Sequence, residues 1–175
     1  MKKLRDRQAK GVILSRLRHL GLGDAGDSRS LGDGLHELRI HLGPGYRVYY
    51  LVDNQTIIVL LCGGDKSSQR RDIRSPPIGY KHRKFAMNES FERFDAADYL
   101  DDEDDIRAYL DACQQSGDPS LVTAALGDIA RARNMSALAR EVGMHRAGLY
   151  KALSRDGNPS FAAVSKVAQA LGLRV

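Results

Sequence analysis

The 175-residue chain carries 27 Lys+Arg and 22 Asp+Glu, a formal net charge of +5, and two cysteines. Cys62 and Cys113 lie too far apart to suggest a disulfide framework or a metal-binding spacing, which points to ordinary thiols in a reducing cytosol. Thr56 to Cys62, the longest apolar run, is too short for a membrane span, and the charged start lacks the apolar core of a signal peptide.

Periodicity predicts a first helix over Lys2 to Leu20, with Leu4, Ile13, Leu17 and Leu20 on one face. A loop rich in glycine and aspartate follows to Gly34, and then three strands. Leu35 to Leu42 alternates, with Leu38, Ile40 and Leu42 on one side and Glu37, Arg39 and His41 on the other. Tyr46 to Val52 is the second strand. Thr56 to Cys62 is the third, apolar on both faces and therefore central. The expected first domain is α+β, a helix followed by an antiparallel meander, over residues 1–74. Ser75 to Ala86, with paired prolines, a glycine and several basic residues, reads as a linker that spans on the order of 40 Å when extended.

Beyond the linker the composition changes. Residues 1–86 hold 17 Lys+Arg and 8 Asp+Glu (+9), whereas residues 87–175 hold 10 and 14 (−4). Such asymmetry implies that the two halves attract each other or that the basic half meets a polyanion. Short helices are expected over Phe94 to Leu100 and Asp104 to Gln114, with the acidic run Asp101-Asp102-Glu103-Asp104-Asp105 between them. That run fits a helix N-terminus stabilised by the macrodipole, and it also fits a patch docking on a basic surface. Asp118-Pro119 caps and starts a helix reaching about Ala132, and Asn158-Pro159-Ser160 opens a last one whose apolar stripe is Phe161, Val164, Val167, Ala168 and Leu171.

Met135 to Leu153 (MSALAREVGMHRAGLYKAL) has helix-turn-helix spacing. Ala139 is small where the helices must approach, Gly143 sits at the turn, and Leu138, Met144, Leu149 and Leu153 are apolar anchors. His145, Arg146, Ala147, Tyr150 and Lys151 then face outward on the second helix, a cationic face suited to a DNA major groove.

The segments ELRIHLGPGYRVYY (Glu37 to Tyr50) and LLCGGDKSSQRRDI (Leu60 to Ile73) resemble toxins of the RelE/ParE superfamily, in particular HigB-like killer proteins of addiction modules. FDAADYLDDEDDIRAYL (Phe94 to Leu110), ALGDIARARNMS (Ala125 to Ser136), GLYKAL (Gly148 to Leu153) and GNPSFAAV (Gly157 to Val164) resemble the HigA-like antitoxin partner, a lambda-repressor-like helix-turn-helix protein. The resemblance implies a toxin and its antidote joined in one polypeptide, with domains at 1–74 and 87–175. It departs from the toxin pattern at the start, where the family's usual first strand is missing.

The resemblance further implies a metal-independent ribonuclease that cuts messenger RNA on the ribosome, without a cofactor. Cleavage beside a 2′-hydroxyl needs a proton acceptor and cations for the charge growing on phosphate. Arg47 and Lys66 are assigned to phosphate stabilisation and Arg39 to substrate positioning. Tyr46, Tyr49 or His41 is assigned to proton transfer or base stacking. The implied antidote work is twofold. Asp98, Asp101, Asp102, Asp104 and Asp105 would cover the basic strands, at an effective concentration of order millimolar because they are tethered. Arg146, Tyr150 and Lys151, with Ser136 and His145 near phosphates, would bind operator DNA as a homodimer. Two alternatives stand beside this reading: a transcriptional regulator whose toxin half is an inactive remnant used for folding or dimerisation, and a toxin aimed at DNA gyrase.

Overall fold

A computed structural model describes residues 4, 6–32, 34–53, 56–64, 94–154 and 157–173. The chain is α+β and separates into two compact units. One joins Met1–Gly23 to Asp95–Val175, and the other is Asp24–Phe94.

The sheet unit is a four-stranded antiparallel meander in the order β1 (Ser28–Gly32), β2 (Leu35–Ile40), β3 (Tyr46–Asp53), β4 (Thr56–Gly64). The last three strands match the sequence expectation to within two residues in extent, but β4, expected to be central, ends the order of the described strands and pairs with β3. β1 falls in the segment expected to be a loop. Its sequence, SRSLG, has no apolar alternation, and it joins the sheet through backbone pairing with β2, from Ser28 opposite Leu38 to Gly32 opposite Leu35. Its register breaks between Ser30 and Gly32, a device that blunts an edge strand.

The helical unit begins with α1 (Arg7–Gly21), capped by Asp6, whose carboxylate accepts from the Ala9 amide at 3.0 Å. After a 3-10 turn at Ala96–Tyr99 come α2 (Glu103–Gln115), α3 (Pro119–Arg133), α4 (Met135–Glu141), α5 (Arg146–Ala152) and α6 (Phe161–Ala170). Every one of these starts except that of α5 has a side-chain cap: Asp102 for α2, Asp118 for α3 with Pro119 in its first turn, Asn134 for α4 and Ser160 for α6. Each such cap stabilises its helix by about 1 kcal/mol.

α1 packs against α2 and α3. A 15-residue helix is marginal alone in water, so this packing is what holds it. The crossing is close. A Cβ added to Gly11 would lie 2.4 Å from the Ala108 carbonyl oxygen, so only glycine lets the two backbones meet there. The expected boundaries put α1 in one body with the strands, and the structure packs it into the helical body instead. Amphipathicity identified α1 as a helix but left open which surface its apolar face would find.

A polar cluster runs through this core. Asp128 on α3 is 1% exposed and accepts from the Tyr109 hydroxyl at 2.6 Å. Arg18 Nε of α1 lies 3.1 Å from the same carboxylate, and Arg131 bonds its other oxygen. Arg131 also forks onto Asp95 with two bonds of 2.9 Å. Burial pushes the Asp128 carboxyl above its ordinary value, against the opposing pull of Arg18, Tyr109 and Arg131. Burial likewise raises the Tyr109 phenol.

Candidate functional site

In the helical unit, α4 and α5 are joined by the turn from Val142 to His145. Gly143 takes φ +71° there, and the Met144 amide reaches back to the Ala139 carbonyl at 2.8 Å. Leu138, Ala139, Leu149 and Leu153 are buried and fix both helices to the core. Met144, expected as an anchor, is half-buried. The chain just past α5 lies tight on α3: a Cβ at Gly127 would stand 2.6 Å from the Leu153 carbonyl oxygen. With Leu149 turned inward, His145, Arg146, Ala147, Gly148, Tyr150 and Lys151 form one exposed face. Tyr150 is 54% exposed, and Ser136 is exposed at the start of α4. An exposed aromatic among cations suits a nucleic-acid backbone and its bases.

In the sheet unit, Arg39 and Arg47 are direct cross-strand partners, and Glu37 faces Tyr49 one step along. Strand alternation therefore puts Glu37, Arg39, Arg47 and Tyr49 on one face. Tyr46, opposite Ile40, belongs to the other face, so Tyr46 and Tyr49 cannot serve one site together. Both arginines turn onto Glu37: Arg39 donates to it at 3.2 Å, and Arg47 Nε lies 2.9 Å from its other oxygen. Glu37 itself is 0% exposed and Tyr49 is 2% exposed. His41 Nε2 lies 2.6 Å from Asp27. Lys66 falls outside the described residues. Glu37 is the residue that sequence reasoning left without a role. Its place two residues before Arg39, on the same face of β2, was the available signal.

The acidic run meets α1. Arg7 bonds Asp102 at 2.7 Å and also Asp104. Lys10 Nζ lies 2.6 Å from Asp105 and 3.1 Å from Asp101. Burial pulls the Lys10 ammonium down, but Asp105 and Asp101 together hold it above its ordinary value. His19 lies 3.1 Å from Asp118, whose carboxyl is held low by the Ser120 hydroxyl and amide. Asp98 is exposed on the 3-10 turn. Four of these carboxylates have Arg7 and Lys10 as partners, and Asp102 also caps α2.

Among the described residues, no group of three His, Cys, Asp or Glu is placed to hold a metal ion, and no helix is long and apolar enough to cross a membrane.

Residues 90–175 match the family model described as "Probable addiction module antidote protein", and residues 3–83 match "Phage derived protein Gp49-like". Together the two matches support a toxin–antitoxin module. Two relatives from Haemophilus influenzae, both described as uncharacterized proteins, are similar to it. One is 52% identical over 88 residues, half of this chain and 91% of the relative. The other is 47% identical over 78 residues, 45% of this chain and 79% of the relative. No solved structure matches the chain significantly. The family limits do not coincide with the compact units. α1 lies in the Gp49-like match by sequence and in the helical unit by packing.

Proposed function

We propose that this chain joins a toxin and its antidote, and that its helical unit binds operator DNA to regulate its own gene. The observation that carries this reading is the outward face of α5, where His145, Arg146, Tyr150 and Lys151 are all exposed while Leu149 alone is buried. Arg146 at the start of α5 reads base edges in the major groove, Lys151 and Ser136 meet phosphates, and Tyr150 stacks or packs on the backbone. Two copies bind a palindromic site about one helical turn between half-sites, in the cytoplasm. Arg146→Ala weakens operator binding by about 1–3 kcal/mol and relaxes discrimination at one base pair, as read by gel-shift titration against operator and random DNA. Unchanged affinity for both would refute the assignment.

The sheet unit is related to toxins that act on messenger RNA at the ribosome, and in this chain it is a silent or inactive remnant. That second part is supported by Glu37, which already takes up both Arg39 and Arg47, so a phosphate would have to displace a buried carboxylate. Tyr49 is buried and Tyr46 lies on the opposite face, which leaves neither tyrosine beside the arginines and open to substrate. Expression of residues 1–86 alone decides between the two states: growth arrest with cleaved mRNA marks a live interferase held in check, and a folded fragment without effect marks a remnant.

A further inference from the structure

We infer that the surface formed by α2 and α3 is the antidote's docking site for the toxin's first helix, and that the antidote half holds the toxin half through α1. This rests on the reading that the chain joins the two proteins. The occupant is α1 itself, here supplied by the same polypeptide and equally able to come from a second one.

Three observations converge. First, α1 belongs to the Gp49-like sequence match yet folds as part of the helical unit, so toxin-family sequence completes an antidote-family core. Second, the fit is specific in shape. Gly11 lets α1 settle against the α2 backbone at Ala108, with a Cβ there blocked at 2.4 Å by the carbonyl oxygen and at 2.8 Å by the Tyr109 amide nitrogen. Ile13, Leu14, Leu17 and Leu20 are buried beside this crossing. Third, the charges run one way. Arg7, Lys10, Arg18 and His19 are all on α1, and their partners Asp102, Asp104, Asp101, Asp105, Asp128 and Asp118 are all in the antidote match. Lys10 and Asp105 are both 6% exposed in their side chains, so this pair is a desolvated contact with strict demands on its partner. Complementarity of cations on one body with anions on the other is the usual pattern of an interface between separate proteins.

The test uses the full chain carrying Gly11→Leu, which expels its own helix, and a fluorescent peptide of residues 4–23. The wild-type peptide should bind the Gly11→Leu chain at least tenfold more tightly than it binds the wild-type chain, whose site is filled. A Lys10→Glu peptide should bind at least tenfold more weakly than the wild-type peptide. Equal binding to both chains, no binding to either, or indifference to the charge reversal overturns the inference. If circular dichroism shows the Gly11→Leu chain unfolded, the Arg7→Glu/Lys10→Glu chain, which leaves α2 and α3 untouched, takes its place under the same criteria. Growth arrest by residues 1–86 and operator binding are scored separately. Peptide capture without either leaves the docking site standing and removes the toxin–antidote reading; either one without capture does the reverse.

Discussion

Replacing Gly11 by alanine is a one-methyl perturbation whose sign depends on whether α1 packs on α2 as closely as described. In an open helix, Gly→Ala stabilises by about 1 kcal/mol through propensity alone. At Gly11 the new Cβ would sit 2.4 Å from the Ala108 oxygen, 2.5 Å from its carbonyl carbon and 2.8 Å from the Tyr109 nitrogen. All three are backbone atoms, so no side chain can swing aside. Restoring ordinary contact requires the helices to separate by roughly 1 Å, which forfeits a quarter to a half of the dispersion attraction along the seam. Overpacking of this kind costs about 3 kcal/mol at the upper end of its usual range. Offset by the propensity gain, the net is about 2 kcal/mol of destabilisation, a fall of about 10 °C in the melting of the helical unit. Gly148 on α5 is the internal control, because a Cβ there meets nothing within 4 Å. Gly148→Ala should raise stability by up to about 1 kcal/mol. Thermal melts followed by circular dichroism read both. If Gly11→Ala melts at or above the wild-type temperature, the close crossing of α1 and α2 is refuted.

Acid should destabilise the helical unit as pH falls through the folded-state values of Asp95 and Asp118, both held below the ordinary 3.8. Burial pushes Asp95 up, but Arg131 and the Ala97 amide outweigh it. The stability such lowered carboxylates contribute is fully present above 3.8 and is lost as they protonate. Asp118→Asn keeps the α3 cap and should flatten this acid limb; an unchanged slope of melting temperature against pH counts against the role given to Asp118. Tyr109→Phe removes the 2.6 Å bond to buried Asp128 and should cost about 1–2 kcal/mol in denaturant titrations, with no loss expected if that bond does not form. Cys113 is fully buried and its thiol is pushed up to about 12 by burial, so it should resist alkylation at pH 8 until the helical unit unfolds; rapid labelling located by mass spectrometry would contradict its burial.

The elements legible in the sequence are those with a local signature. Asp118-Pro119 marked the start of α3, Gly143 marked the turn between α4 and α5, and alternation marked β2. β1 was missed because an edge strand of Ser, Arg and Gly is held by backbone bonds that carry no side-chain pattern. Phe161 was expected in the apolar stripe of α6, yet at the first helical position it is 82% exposed, while Val167, Ala168 and Leu171 form the buried face. In the sheet, pairing register decided what composition could not: Arg39 and Arg47 are neighbours held on Glu37, and Tyr46 and Tyr49 face opposite ways.

The sequence by itself determined the helices and three of the four described strands, the exposed cationic face of α5 and the opposition of a basic half to an acidic one, because each is a matter of periodicity, capping or charge along a short stretch of chain. Only the tertiary structure decided where the acidic run docks and which core α1 completes. Those answers depend on the closeness of two backbones at Gly11 and Ala108 and on buried ion pairs such as Lys10 with Asp105. Residues about a hundred positions apart must be brought together before such complementarity exists, and no local pattern encodes it.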